Sequence, residues 1–156
     1  MKATKENFIT ARYLDNDKRT VEVLYTENGE TVSHVMQHDN SHPDFKKLLE
    51  ITTINDLHSN TVAFIKSSQK DFREHISRIA SVELKQVKAG LNTPFYKELC
   101  NFLFEYDDDK KEELFNLKLF VFEKEDVKNS QDTESKAAMR KAQTPLDFFS
   151  AFSKLK

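Results

Sequence analysis

From Ile54 the chain runs to Gly90 without a proline or a second glycine, and small or apolar positions recur at steps of three and four. They are Leu57, Thr61, Phe64, Ile65, Ser68, Phe72, Ile76, Ile79 and Val82, while Lys66, Lys70, Arg73, Glu74 and Arg78 fall elsewhere. That period is the signature of an amphipathic helix. Thr53-Ile54-Asn55-Asp56 supplies a start signal, a hydroxyl followed three residues later by an acid. At 1.5 Å per residue, about thirty residues reach ~45 Å. A small sheet is narrower than that, so part of the helix is expected to pack on other helices or on a partner.

A small sheet is what the preceding residues predict. FITARYL, TVEVLYT and TVSHVM, within residues 8–36, are short β-branched and aromatic segments separated by turn chemistry, and they read as a three-stranded antiparallel meander. The first turn is Asp15-Asn16-Asp17-Lys18. The second centres on Asn28-Gly29, whose tolerance of positive φ suits a type I′ hairpin. Val21, Val23 and Tyr25 share one face, with Glu22, Leu24 and Thr26 on the other, so a helix is needed over the first face. HPDFKKLLEI, with Pro43 in a first turn and Phe45, Leu48 and Leu49 on one side, supplies a short helix before the long one.

Beyond Gly90, the expected helix stop, Thr93-Pro94 restarts a helix that places Phe95, Leu99, Phe102, Leu103 and Tyr106 on a broad face. Asp107-Asp108-Asp109 breaks it. In EELFNLKLFVFEKEDV, Leu117, Leu119 and Val121 alternate as in a strand, but Leu114, Leu117, Val121 and Phe115, Leu119, Phe122 also fit helical spacing. Acids leading and lysines following favour the helix. The fold class is therefore α+β: an N-terminal three-stranded β-meander, a long helix, further helices and a C-terminal helical tail. Residues 1–125 form the expected body, with the meander at 8–36 and helices across 43–122. Residues 126–135, DVKNSQDTES, with one apolar residue, read as a polar linker, and 136–156 as a separate helical interaction segment.

Composition narrows the function. Hydrophobic residues are 38% and charged ones 32%, yet there are thirteen Phe and four Tyr, so apolar surface is concentrated in aromatics. A net charge of −2 and a pI near 6.2 argue against a protein-wide electrostatic grip on nucleic acid. Neither Gly29 nor Gly90 sits in a phosphate-cradling loop, which excludes the common nucleotide sites and cofactors bound that way. The lone Cys100 lies in an apolar run and reads as a buried inert thiol in a reducing compartment. The N-terminal residues lack a signal-peptide core and no apolar run approaches the ~20 residues of a membrane span, so a soluble protein is expected.

No catalytic constellation emerges. His34, His38 and His42 are spaced by four, but across a strand end and a loop, where that spacing does not converge ligands. His58 and His75 lie seventeen positions apart on the long helix. The acids Asp107, Asp108, Asp109, Glu112 and Glu113 read as a solvated helix start rather than a cation site. No metal site, no catalytic residues and no cofactor are assigned.

The last residues stand out. Thr144-Pro145-Leu146-Asp147 repeats the cap signature, and Phe148, Phe152 and Leu155 follow i, i+4, i+7, widened by Leu146 and Phe149. Lys136, Arg140 and Lys141 form a basic flank. Two readings are open: a helix laid into a partner's apolar groove through these five residues, or a helix folded back onto the chain's own core.

The pattern ITARYLDNDKRTVEVLYTENGETVSHVMQHDNSHPDFKKLLE followed by TINDLHSN resembles a meander-plus-helix module of T4-like tailed phages, particularly marine ones. LFNLKLFVFEKEDVKNSQDTESKAAMRKAQTPLDFF is similar to small proteins of the same phages. The resemblance implies a virion or assembly protein, located in the virion or the host cytoplasm, whose partners are virion subunits or further copies of itself. Pro145-Leu146-Asp147-Phe148-Phe149 also resembles the C-terminal clamp-binding peptide of phage polymerase and late-transcription proteins. That second likeness implies an adaptor binding a sliding clamp, polymerase or transcription machinery.

Overall fold

The computed structural model describes residues 1–79, 83–106 and 110–156. Its architecture is the expected α+β one: a three-stranded antiparallel sheet in the order β1-β2-β3, then a long helix and further helices. The chain divides into two compact units, Met1–Phe64 and Ile65–Lys156, and the division falls inside the long helix.

In the first unit, β1 (Phe8–Tyr13), β2 (Thr20–Glu27) and β3 (Glu30–Gln37) form the meander. Asn28 and Gly29 both have positive φ, 53° and 82°, as a type I′ turn requires. That turn sets the β2–β3 register, which runs without a shift from Glu27↔Glu30 to Thr20↔Gln37. In the first turn, Asp15 accepts the backbone N–H groups of Arg19 and Thr20, and Lys18 takes φ 58°. Val21, Val23 and Tyr25 are buried as their alternation predicts, together with Ala11, Tyr13 and Met36. Opposite them lie Phe45 and Leu48 of α1 (Pro43–Leu49) and Leu57 of α2 (Ile54–Ile79), all fully buried. Each such side chain is worth about 1.5–3 kcal/mol when removed from water. The capping box at the start of α2 is reciprocal: Asp56 N–H donates to Thr53 Oγ1 at 3.1 Å, and Thr53 N–H to Asp56 Oδ2 at 3.0 Å. Phe64, read from its spacing as part of the packed stripe, is 45% exposed. The Arg12 guanidinium stacks 3.3 Å over its ring.

The second unit is helical. It contains the rest of α2, α3 (Leu84–Leu91), α4 (Pro94–Tyr106), α5 (Lys110–Phe122), α6 (Glu125–Asn129), α7 (Thr133–Lys141) and α8 (Pro145–Lys154). Several expectations are corrected. The long helix does not run unbroken towards Gly90: α2 is described to Ile79, and α3 is a separate helix that starts at Leu84. Gly90 lies inside α3 and Asn92 caps it. The glycine is there for close approach, because a Cβ on it would overlap Cδ1 of Ile76. On α4 the buried face is Tyr96, Cys100, Leu103 and Tyr106, about one residue round from the expected one, and Phe95 is 57% exposed. The Asp107-Asp108-Asp109 break lies outside the described residues.

Residues 126–135 are not a linker. Val127 is fully buried, Asp126 accepts the N–H of Leu84 at the start of α3, and Asp132 caps α7 by accepting from Ser135 N–H. Their polarity reflects helix capping rather than solvation. Lysines close the opposite helix ends. Lys136 donates to the carbonyls of Lys128 and Ser130, Lys118 to those of Arg140 and Ala142, and Lys88 to those of Ser153 and Leu155.

Candidate functional site

The C-terminal segment was the leading candidate, and its structure divides it. Thr144 caps α8 by accepting Asp147 N–H at 3.1 Å, as its sequence predicts. Phe148 and Phe152 are fully buried, and Phe149 and Leu155 nearly so. They belong to one core with Tyr96, Cys100, Leu117, Val121, Val127 and Met139. Phe148 stacks on Phe152, and Phe149 meets Tyr96 edge to face. The fold-back alternative is the one observed, and these four residues are not a free binding stripe. Leu146 alone faces outward, 68% exposed. The basic flank is likewise spent on the fold. Lys136 closes α6, the Arg140 guanidinium lies 5.0 Å from the Phe122 ring centre, and only Lys141 stands exposed with no such contact described.

Beneath the surface, α2, α4 and α5 meet in a buried polar network that sequence reading missed. Arg73 Nη1 donates to Glu113 Oε1 at 3.0 Å and to Tyr96 Oη at 3.1 Å. The side-chain amide of Gln69, one turn before Arg73 and fully buried, faces both Glu113 carboxylate oxygens at 3.0 Å, and assigning its nitrogen rather than its oxygen to that side, as two acceptors require, makes it a donor to both. Burial raises the Glu113 carboxyl above the usual carboxylate range, against the pull of Arg73 and Lys66. Burial also works to lower Arg73, but Tyr96 and Glu113 leave it above its ordinary value. The Tyr96 phenol is driven well upward by burial. The Cys100 thiol is pushed up to about 12, by burial first and Glu113 second. Tyr96 and Cys100 therefore stay protonated at neutral pH, and neither is an activated nucleophile. What the network does is fix three helices in one relative position. The only sequence signal for it was Gln69 and Arg73 at i, i+4 on the long helix, where an unbroken apolar stripe would carry aliphatic residues.

The network underlies a shallow groove of about 380 Å³ lined by Lys66, Lys70, Asn116, Leu119, Phe120 and Glu123. Its α5 wall has an unusual helix. Leu114, Leu117 and Val121 are buried, while Phe115 is 62% and Leu119 46% exposed one turn apart. The two periodicities noted in this segment both exist, on different sides of one helix.

The histidines do separate jobs in the first unit. His34 pairs with Asp44 at 3.5 Å, His38 stacks on Phe45 with ring centres 4.5 Å apart, and His42 Nδ1 accepts Asp44 N–H at the start of α1. Of the acidic run, Glu112 pairs with Lys66 at 3.1 Å and Glu113 belongs to the buried network. Among the described residues, no helix is long and apolar enough to cross a membrane. In comparison with known proteins, no family model, no curated protein and no solved structure matches this chain.

Proposed function

We propose that this is a non-enzymatic structural or assembly protein that works through protein–protein contact, and that the contact runs through the outward side of α5. One observation carries the reading: α5 is apolar on two sides, and Phe115 and Leu119 remain in water while the tail's aromatics do not. Two large apolar side chains one turn apart match the anchor spacing of a helix that packs into a groove or against another helix. The buried Cys100 thiol and Tyr96 phenol are held protonated, so neither enters this reading as a nucleophile. The tailed-phage setting rests on the resemblance of the meander module, which points to virion subunits as partners.

The test is mass spectrometry of purified particles carrying the wild-type chain or Phe115→Asp/Leu119→Asp. Stoichiometric incorporation that the double variant loses, with its helix content unchanged, supports the reading. Absence from particles together with recovery on clamp or polymerase overturns it in favour of the adaptor, for which exposed Leu146 is the available contact.

A further inference from the structure

We propose that the cleft between α2 and α5 is a carboxylate-recognition site: the partner segment that packs on Phe115 and Leu119 is acidic and places an Asp or Glu side chain on the outer edge of the Arg73 guanidinium. This deepens the α5 reading and rests on it for the occupant being a protein segment.

Arg73 spends only part of its donors on the fold. Both of its bonds in the buried network, to Glu113 and to Tyr96, leave from Nη1. A guanidinium has five N–H groups, so Nε–H and the pair on Nη2 have no partner among the described residues, and neither nitrogen is sealed from water. These two nitrogens share one edge of the planar group, the edge that takes both oxygens of a carboxylate side by side. Arg73 lines two neighbouring clefts. One is the groove of about 380 Å³ under Leu119 and Phe120, and the other, of about 550 Å³, adds Glu74, Ser77 and Arg78. Glu113 and Tyr96 grip the guanidinium from behind, so its orientation is set before any ligand arrives.

Charge and shape together select the occupant. Glu112 is taken by Lys66 at 3.1 Å, and Glu113 serves the network. In the larger cleft Lys70 and Arg78 face one acid, Glu74, which lies 3.8 Å from Lys70 with both side chains exposed. Arg78 is exposed and makes no ion pair among the described residues. Lys124 adds a further cation, and its Nζ donates to Ser77 Oγ at 3.0 Å, which leaves the Ser77 hydroxyl proton to be donated elsewhere. Glu123 is the opposing charge, and it lines only the smaller groove. Leu119 and Phe120 wall that groove and lead to exposed Phe115. A free phosphate could use the same guanidinium edge but would leave this apolar wall in water. A segment with apolar residues beside an acid covers both.

The probe is a blocked helical peptide with leucines one turn apart on one face and glutamates on the adjoining face, followed by fluorescence anisotropy against the full chain. Its glutamine counterpart is expected to bind about tenfold more weakly. Lys70→Gln/Arg78→Gln should weaken the glutamate peptide several-fold and leave the glutamine peptide unchanged, with the difference shrinking in high salt. Glu123→Gln should tighten the glutamate peptide. In the wild-type chain the Arg73 Nε–H magnetic-resonance signal should shift as the glutamate peptide saturates. Equal affinity for the two peptides, or an Arg73 signal that stays in place, overturns the proposal and leaves the α5 reading standing. So does the absence of binding up to about 1 mM, or an Arg73 shift produced by inorganic phosphate and not by the glutamate peptide. If Phe115→Asp/Leu119→Asp binds the glutamate peptide as the wild type does, with the Arg73 signal still shifting, the carboxylate site is supported and the α5 reading alone fails. Should the Lys70/Arg78 variant lose helix content, the paired peptides and the Arg73 signal in the wild type decide.

Discussion

Replacing Glu113 with Ala is expected to be the most damaging single side-chain truncation in the second unit. The carboxylate is 5% exposed and holds Arg73, itself only 15% exposed, and the fully buried Gln69 amide. Removing it strands a buried guanidinium and an amide with no acceptor, and breaking a buried pair in this way costs about 3–5 kcal/mol. For a unit of this size, 1 kcal/mol shifts Tm by roughly 4–8 °C, so a fall of at least about 12 °C is expected. Urea unfolding followed by far-UV circular dichroism and tyrosine fluorescence gives the free energy directly, as the chain has no tryptophan. Arg73→Met in the same background removes the stranded charge, so the double variant should cost about 1–3 kcal/mol less than the sum of the singles. The pH dependence has a definite sign. The folded-state pKa of Glu113 is raised, so the folded state binds its proton more readily than the unfolded state. This group's contribution is then fully present below the unfolded carboxylate pKa and is lost as pH rises through the folded value. The gap between wild type and Glu113→Ala should therefore widen as pH falls through the carboxylate range. A Glu113→Ala cost under about 1 kcal/mol, or additive singles, would refute the view that this network positions the three helices.

Truncation after Gln143 removes Phe148, Phe149, Phe152 and Leu155 from the core, a loss of roughly 6–12 kcal/mol that rivals the whole stability of a domain. The second unit should lose its cooperative thermal transition, and a truncated chain that melts cooperatively with full helix content would contradict the packing described. A Cβ added at Gly29 meets nothing within 4 Å, so the cost of Gly29→Val is expected to come from φ +82°, on the order of 1–2 kcal/mol. Amide exchange should speed up across β2 and β3 before the second unit responds, and unchanged protection there would count against the turn. Cys100 should resist a thiol reagent at pH 8 in the folded protein and react promptly in denaturant. Because its folded pKa is raised from 9.0 to about 12, the stability tied to its protonated form should be complete below pH ~9 and decline above it. Rapid labelling of the native chain would show the thiol to be accessible.

What the sequence determined by itself was everything set by a residue's near neighbours in the chain. Asn28-Gly29 dictated a hairpin because only certain residues tolerate positive φ, and the β2–β3 register and the buried set Val21, Val23 and Tyr25 followed from it. Thr53 with Asp56, and Thr144 before Pro145, announced helix starts through bonds spanning three residues. Tertiary structure decided what each apolar surface meets. Helical period shows that Phe115 and Leu117 lie on different sides of α5, but only the packed neighbours determine that Leu117 is buried and Phe115 is not. The same limit turned the expected face of α4 by a residue and gave the tail's phenylalanines to the core. It also hid the work of Asp126, Asp132 and Lys136, which looked like a solvated linker until the helix ends that they close were in place. Gln69, Arg73, Tyr96 and Glu113 come from three helices spread over 45 positions, and the low dielectric that makes their bonds matter exists only once those helices have packed.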